Sequence, residues 1–257
     1  RAACIAEWRP SIDHHPWFLK ILQAWDLLEQ PNERCAHFLG SQNSGKTEGI
    51  ACMLLQILLE DPAYTSIFIA GPYKAKTEVG LWASFQAGYH DLCRAAGWDH
   101  DKTHYSSQSK INLHLHERAG WVRVVSVGAV GMMQGNKPRN PYRGWLIVAV
   151  DEIGVFPNKA QFEFNRLLNN LLSPPRTRLV TACNPRSVHG LDGMLCRPGD
   201  GRAFSDLQIE SDKEWRTVRR GRAYRFDCND SPNMGPKGTI FPYLVKREDI
   251  EEGLFMH

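Results

Sequence analysis

The sequence predicts an α/β fold, a mainly parallel central sheet flanked by helices, with a small C-terminal linker subdomain. Three observations carry this. Short, mostly apolar runs recur as RCAHFL (34–39), TSIFIA (65–70), WLIVAV (145–150) and RLVTAC (178–183). Segments with helical spacing of apolar residues lie between them. Strands that alternate with amphipathic helices form a parallel sheet buried on both faces, so the strands need no polar face of their own.

The elements follow in order. Residues 12–30 read as a helix, with Trp17, Ile21, Ala24, Trp25 and Leu28 at near-helical spacing, ended by Pro31-Asn32. A short strand at 34–39 leads into a loop, Gly40 to Ser44. A second helix starts at Gly45 and carries Ile50, Met53, Leu54, Ile57 and Leu58 on one face. Asp61-Pro62 closes it. The strand 65–70 ends at Gly71-Pro72, and a helix is expected over about 77–96. INLHLHE (111–117) and WVRVVSV (121–127) flank Arg118-Ala119-Gly120 as an inserted hairpin. Residues 128–144, rich in Gly, Pro and Asn, read as a loop. The strand 145–150 runs into Asp151-Glu152, a helix covers about 158–172, and the strand 178–183 follows. After about 190 the alternation fades as Gly, Pro and Arg rise. This gives a core over 1–195 and a linker subdomain over 196–257.

The chain has 257 residues, 42% hydrophobic and 23% charged, enough for one sizeable core. Its seven cysteines include no C-x-x-C pair, and several sit in apolar runs, which favours free buried thiols over a disulfide frame or a zinc site. His114 and His116 alternate as a strand face would, and His14-His15 are neighbours that do not easily face one metal. No apolar run approaches the roughly 20 residues that span a bilayer. The net charge of +3 does not argue for nucleic acid by itself. The start at Arg1 and the end at Phe255-Met256-His257 lead us to expect a piece of a longer protein.

GSQNSGKT, residues 40–47, matches G-x-x-x-x-G-K-[ST] between a strand and a helix. Glycines let such a backbone wrap phosphates, and the N–H groups of the loop and helix start point at them. Gly40, Ser41, Gln42, Asn43, Ser44 and Gly45 would form the cradle for ATP. Lys46 would neutralise β- and γ-phosphate charge, and the Thr47 hydroxyl would ligate Mg²⁺. WLIVAVDE (145–152) is the second signal. A buried strand delivers two acids at its C-terminal end, where ligands bind in open α/β sheets. Asp151 would hold Mg²⁺ through water, and Glu152 would act as general base on the attacking water. In TACNP (181–185), Asn184 would come near the γ-phosphate as a sensor; Asn184-Pro185 also reads as a simple turn.

These motifs in this order resemble the ATPase domain of the large terminase subunit of tailed bacteriophages. FIAGPYKAKTEVGLW (68–82), NPYRGWLIVAVDE (140–152), DCNDSPNM (227–234) and IFPYL (240–244) look like further family segments. The resemblance covers the chain from about residue 14 onward. It implies a P-loop NTPase fold of the ASCE/RecA-like type, with Lys46 and Thr47 as the Walker A pair, Asp151 and Glu152 as the Walker B pair, and Asn184 in the coupling motif. It implies ATP hydrolysis that drives double-stranded DNA into a procapsid in the host bacterial cytoplasm, by a homo-oligomeric ring, a pentamer, working with a portal protein and a small terminase subunit and without a membrane. A nuclease domain would belong to the parent protein. Many relatives carry an arginine within the Walker A loop, but the variable positions here are Ser41, Gln42, Asn43 and Ser44. An arginine from elsewhere is therefore expected, with Arg143 and Arg139 as candidates, acting within the subunit or on a neighbour.

Two further groups are ambiguous. Arg216, Arg219, Arg220, Arg222 and Arg225 would suit duplex phosphates or form a solvated mixed face beside Asp212 and Glu214. Trp17 and Phe18 read as core residues or as adenine contacts. The competing functional readings are a superfamily 2-type helicase and a nucleotide-binding switch that does not hydrolyse ATP. Asp151-Glu152-Ile153-Gly154 departs from the helicase box, and Glu152 argues against the switch.

Overall fold

A computed structural model of the chain describes residues 5, 9, 14–97, 104–107, 110–113, 120–126, 136–138, 140–208 and 211–252; for 74–76, 104–107, 110–113 and 126 it describes the backbone only.

The first helix, α1, spans Pro16–Leu28, shorter than the expected 12–30. His15 sets its start: Nδ1 accepts a hydrogen bond from the Phe18 N–H at 3.2 Å, and Pro16 follows at the first helical position. Thirteen residues are too few for a stable helix in isolation. Burial supplies the difference. Trp17, Phe18, Ile21, Leu22, Ala24, Trp25 and Leu28 all face the interior, the large ones at about 1.5–3 kcal/mol each. Trp17 and Phe18 are thus core residues, and Trp17 packs 5.6 Å from Phe226.

Strand β1 (Cys35–Gly40) feeds the loop that leads to α2 (Lys46–Glu60). Strand β2 is Ser66–Gly71. The single helix expected at 77–96 is two, α3 (Lys74–Val79) and α4 (Leu81–Ala95), because Gly80 leaves helical geometry at φ −89°, ψ −114°. The expected hairpin is present as β4 (Lys110–Leu113) and β5 (Trp121–Ser126), antiparallel, with an additional strand β3 (His104–Ser107) outside it. His114 and His116 lie outside the described residues. Strand β6 (Leu146–Val150), helix α5 (Asn158–Leu171), strand β7 (Thr177–Cys183) and the short helix α6 (Leu191–Cys196) follow the expected order. Then come β8 (Glu214–Thr217), β9 (Gly221–Phe226) and α7 (Arg247–Glu251).

Among the described residues one nine-stranded sheet runs β3-β4-β5-β2-β6-β7-β1-β9-β8. The six strands from β5 to β9 are parallel to their neighbours, and β3, β4 and β8 add antiparallel edges. The sheet therefore continues past residue 195: β9 lies beside β1, in register from Cys35↔Gly221 to Gly40↔Phe226. The arginines of GRAYRF hid this strand, because Arg222 and Arg225 occupy its half-buried positions while Ala223, Tyr224 and Phe226 are buried.

Both faces of the sheet are covered. In β6, Ile147 and Ala149 join one core with α1, α2 and α4, while Leu146, Val148 and Val150 join a second with α5 and α6. A strand buried on both sides must be apolar at every position, which explains the unbroken LIVAV run. Six described cysteines, Cys35, Cys52, Cys93, Cys183, Cys196 and Cys228, are free thiols, and burial pushes the Cys35 and Cys52 thiols up to about 12.

Candidate functional site

Strand order brings the three motifs together. β7 lies between β6 and β1, and all three run parallel. Their C-terminal ends deliver Asp151-Glu152, Asn184 and the 40–47 loop to one edge of the sheet. Leu39 pairs with Cys183 in the ladder, so the residues that follow, Gly40 and Asn184, leave the sheet side by side.

The loop turns on two left-handed residues, Asn43 at φ 54° and Gly45 at φ 72°. Gly45 is needed twice over. Its positive φ disfavours a side chain, and a methyl there would stand 3.0 Å from His15 Nε2. Ser44 is buried and donates from Oγ to the Ser41 carbonyl at 2.9 Å, while Gln42 and Asn43 face solvent. The first turn of α2, which includes Lys46 and Thr47, directs its N–H groups out of the helix end toward the loop.

Lys46 is buried and folds back over the loop. Its Nζ donates to the Gly40 carbonyl at 2.8 Å, the Ser41 carbonyl at 2.6 Å, Ser44 Oγ at 2.8 Å and Asn184 Oδ1 at 3.3 Å. Burial lowers its pKa from 10.5 to about 8, opposed by the fields of Cys183, Asp151 and Glu152. One ammonium thus touches the 40–47 loop and the Asn184 loop and lies in the field of both acids.

Glu152 adopts φ 54°, ψ 41°, and its N–H is held by Asp151 Oδ1 at 3.0 Å. A non-glycine residue in this region costs on the order of 1–3 kcal/mol. The strain reverses the chain straight after β6, into a 3-10 turn at Ile153–Val155, and leaves both acids half-buried at the sheet edge. Among the described residues no three His, Cys, Asp or Glu side chains converge to cage a metal ion. The hard oxygens at this edge, the Thr47 hydroxyl and the Asp151 carboxylate, fit a small cation held by few protein ligands and by a phosphate-bearing partner.

Arg143 does not join this group. It precedes β6 and so lies at the opposite edge of the sheet. There its Nε and Nη2 contact Asp61 Oδ2 and Oδ1 at 3.1 and 3.2 Å, and its guanidinium stacks 4.6 Å from the Tyr64 ring. The expectation that Arg143 reaches the phosphates of its own chain is corrected accordingly. Arg139 lies outside the described residues. The late arginines are bound internally: Arg222 to Glu214 at 2.6 Å, Arg216 to Glu33 at 3.7 Å, Arg219 to Asn165 at 2.6 Å, and Arg225 to the Gln208 carbonyl at 2.8 Å. They form a mixed, self-paired face.

Three contributors to the edge escaped sequence reasoning. His15 lies against Gly45, with Phe241 and Tyr243 rings 5.5 and 5.9 Å away. The segment 231–245 returns to the loop, where the Val245 N–H donates to the Asn43 carbonyl at 3.1 Å. Asn233 braces that return, accepting from the Ile240 and Phe241 N–H groups and donating to the Phe241 and Leu244 carbonyls. DCNDSPNM and IFPYL signalled the segment but not where it docks. Arg186, two residues beyond Asn184, is exposed, and its side chain has no partner among the described residues.

No family model matches the chain, and no curated protein matches it. Solved structures do match. The ATPase domain of the large terminase of Thermus phage P74-26, a point mutant, aligns with a TM-score of 0.52 at 10% identity over 85% of this chain and 88% of that one. The large terminase of a second thermophilic bacteriophage aligns at 0.51 and 12% identity over 84% of this chain, which spans 46% of that protein. The N-terminal domain of the DNA packaging ATPase of bacteriophage phi29 aligns at 0.50 and 12% identity, over 82% of this chain and 97% of that one. The chain therefore has the α/β, RecA-like fold of these ATPase domains.

Proposed function

We propose that this domain binds and hydrolyses ATP, and that in an assembled motor the hydrolysis moves double-stranded viral DNA into a procapsid. The observation that carries the reading is the single sheet edge where Lys46 contacts both the 40–47 loop and Asn184 and lies in the field of Asp151 and Glu152. The fold shared with the two thermophilic-phage large terminases and the phi29 packaging ATPase supports the motor role. The portal protein, small terminase subunit, pentameric ring and host-cytoplasm setting belong to the same proposal. Among the described residues no helix is long and apolar enough to cross a membrane.

In this reading the loop and the first turn of α2 present N–H groups to the phosphates. Lys46 exchanges its bonds to the loop carbonyls for phosphate oxygens and enters the site charged. Thr47 and Asp151 would hold Mg²⁺, which when bound neutralises β- and γ-phosphate charge. Glu152 takes the proton from the attacking water, and its strained backbone aims the carboxylate away from the strand axis. Asn184 leaves Lys46 as the phosphate arrives, which makes its loop responsive to nucleotide. The arginine that completes the charge is Arg186, at the correct edge, or Arg139 from a neighbouring subunit.

The test is Glu152→Ala. Nucleotide affinity should stay within about threefold, while turnover falls by roughly 10²–10⁴. Fluorescent-nucleotide titration and phosphate release measure the two. Equal turnover in variant and parent would remove Glu152 as the base, and no binding by the parent would remove the reading altogether.

A further inference from the structure

Two side chains outside the nucleotide motifs tie together the loops that carry Glu152 and Asn184. Gln161, on the first turns of α5, makes two bonds to different loops. Its Nε2 donates to the Phe156 carbonyl at 2.7 Å, at the end of the turn that begins at Glu152. Its Oε1 accepts from the Leu191 N–H at 3.0 Å, where the Asn184 loop enters α6. One amide thus uses both of its ends, each on a different loop.

Asp192 makes a second link. It is 3% exposed, and its Oδ2 accepts from the Arg186 N–H at 3.1 Å, two residues beyond Asn184. The same carboxylate lies against Gly154, two residues beyond Glu152, where a methyl would stand 3.0 Å from Oδ2. Helix α6 as a whole packs on the 3-10 turn at Ile153–Val155. The far ends of both loops are therefore fastened to one block formed by α5 and α6, while their near ends meet at Lys46.

We propose that Gln161 and Asp192 are positioning residues that make the Glu152 turn and the Asn184 loop move as one unit, so that the general base is aligned only when Asn184 has responded to nucleotide. The inference rests on the ATPase reading above. Neither residue faces the phosphates. Each acts through the backbone of a loop that does, and a misplacement of about 1 Å at a reacting group is enough to cost on the order of 100-fold in rate.

The experiment uses Gln161→Leu, which keeps the bulk and removes both bonds, and Gln161→Glu, which keeps the acceptor for Leu191 and removes the donor to Phe156. Both variants are expected to lose roughly tenfold or more in kcat with KM within about threefold. Hydrogen exchange with and without ATPγS supplies the readout that a merely structural role would not move. In the parent, nucleotide should slow exchange in both 152–156 and 184–192. In the variants it should still slow 184–192 but no longer 152–156. Asp192→Asn, which keeps an acceptor for the Arg186 N–H, should fall between parent and Gln161→Leu. Parent-like kcat in folded Gln161→Leu, or joint protection of both segments in it, overturns the inference while the parent's own turnover leaves the ATPase reading standing. A parent that neither turns over nor is protected by ATPγS is the failure of that reading instead, and the inference falls with it.

Discussion

The two edges of the sheet are built from opposite materials. At the C-terminal edge stand Asp151, Glu152 and Asn184, two left-handed non-glycine residues, and one buried cation, Lys46. At the N-terminal edge arginines crowd together. Arg34 donates to the Pro174 carbonyl at 3.1 Å, Arg176 to the Gly144 carbonyl at 3.2 Å, and Arg178 to the carbonyls of Pro175 and Thr177 at 2.6 and 2.9 Å. Arg176 and Arg178 each stack 4.6 Å from the Trp145 ring. The difference follows from helix direction. After a parallel strand the helix presents its N-terminus at the C-terminal edge, where free N–H groups attract anions. It returns its C-terminus to the other edge, where free carbonyls attract cations. An arginine in this fold is therefore read by its edge: at the N-terminal edge it is a staple, and at the C-terminal edge it is available to phosphate.

The largest test of this division is Arg178. It is 1% exposed, and its Nε donates to the carbonyl of Leu28, the last residue of α1. Burial lowers its pKa to about 10. Removing it leaves several buried carbonyls without a donor, so Arg178→Met should cost about 3 kcal/mol of stability, or roughly 6–12 °C in Tm. Turnover per folded molecule should stay within about twofold, against the loss of about 10²–10⁴ expected for Glu152→Ala. Denaturant unfolding and phosphate release on the soluble fraction compare the two. A collapse of turnover with Tm unchanged would dissolve the division between staple and site.

A second test lies between the edges. His37 is fully buried on β1, opposite Thr181 of β7, and its Nδ1 is 2.8 Å from Thr181 Oγ1. Burial, reinforced by the charge of Arg219, lowers its pKa from 6.5 to about 3. The unfolded chain takes up this proton near pH 6.5 and the folded chain does not until about pH 3. The stability it contributes is complete above pH 6.5 and is lost as pH falls toward 3, at up to about 1.4 kcal/mol per pH unit. His37→Asn removes this titration. Urea unfolding at pH 7, 6, 5 and 4 should show a shallower acid loss in the variant, and parallel curves would mean that the imidazole is not kept neutral.

Most of the fold was legible because parallel strands buried on both faces read as apolar runs, as 145–150 does. β9 was not legible, because Arg222 and Arg225 break its run at half-buried positions and satisfy themselves by ion pairing to Glu214 and by bonding to the Gln208 carbonyl. The local motifs of the site were legible, since a phosphate loop, its lysine and two acids after a strand are close in sequence. What sits across from them was not. His15 reaches Gly45 from α1, Val245 reaches Asn43 from the far end of the chain, and Gln161 bridges two loops from a helix. Each contact joins residues 30 to 202 positions apart, beyond any periodicity or motif. Arg143 misled for the related reason that nearness to the Walker B strand in sequence says nothing about which end of the strand a residue occupies.

Arg143 carries the smallest expected effect and separates the two edges most finely. Its pair with Asp61 is bidentate but 60% exposed on the arginine side, which limits its worth to about 0.2–1 kcal/mol. Arg143→Ala should therefore lower Tm by no more than about 4 °C and leave turnover of the isolated domain within about twofold. The decisive arrangement is a mixed ring of Arg143→Ala and Glu152→Ala subunits. If Arg143 served a neighbour's phosphates, a site formed by the intact base of one subunit and the intact arginine of the next would regain activity above either variant alone. A staple at the N-terminal edge gives no such gain. The same mixture made with Arg139→Ala places the trans role on the other loop arginine if activity returns there. Arg186→Ala needs no mixing, because a cation at the C-terminal edge acts on its own subunit's phosphates. Its loss should lower kcat in the unassembled domain, where neither loop arginine has a neighbour to reach.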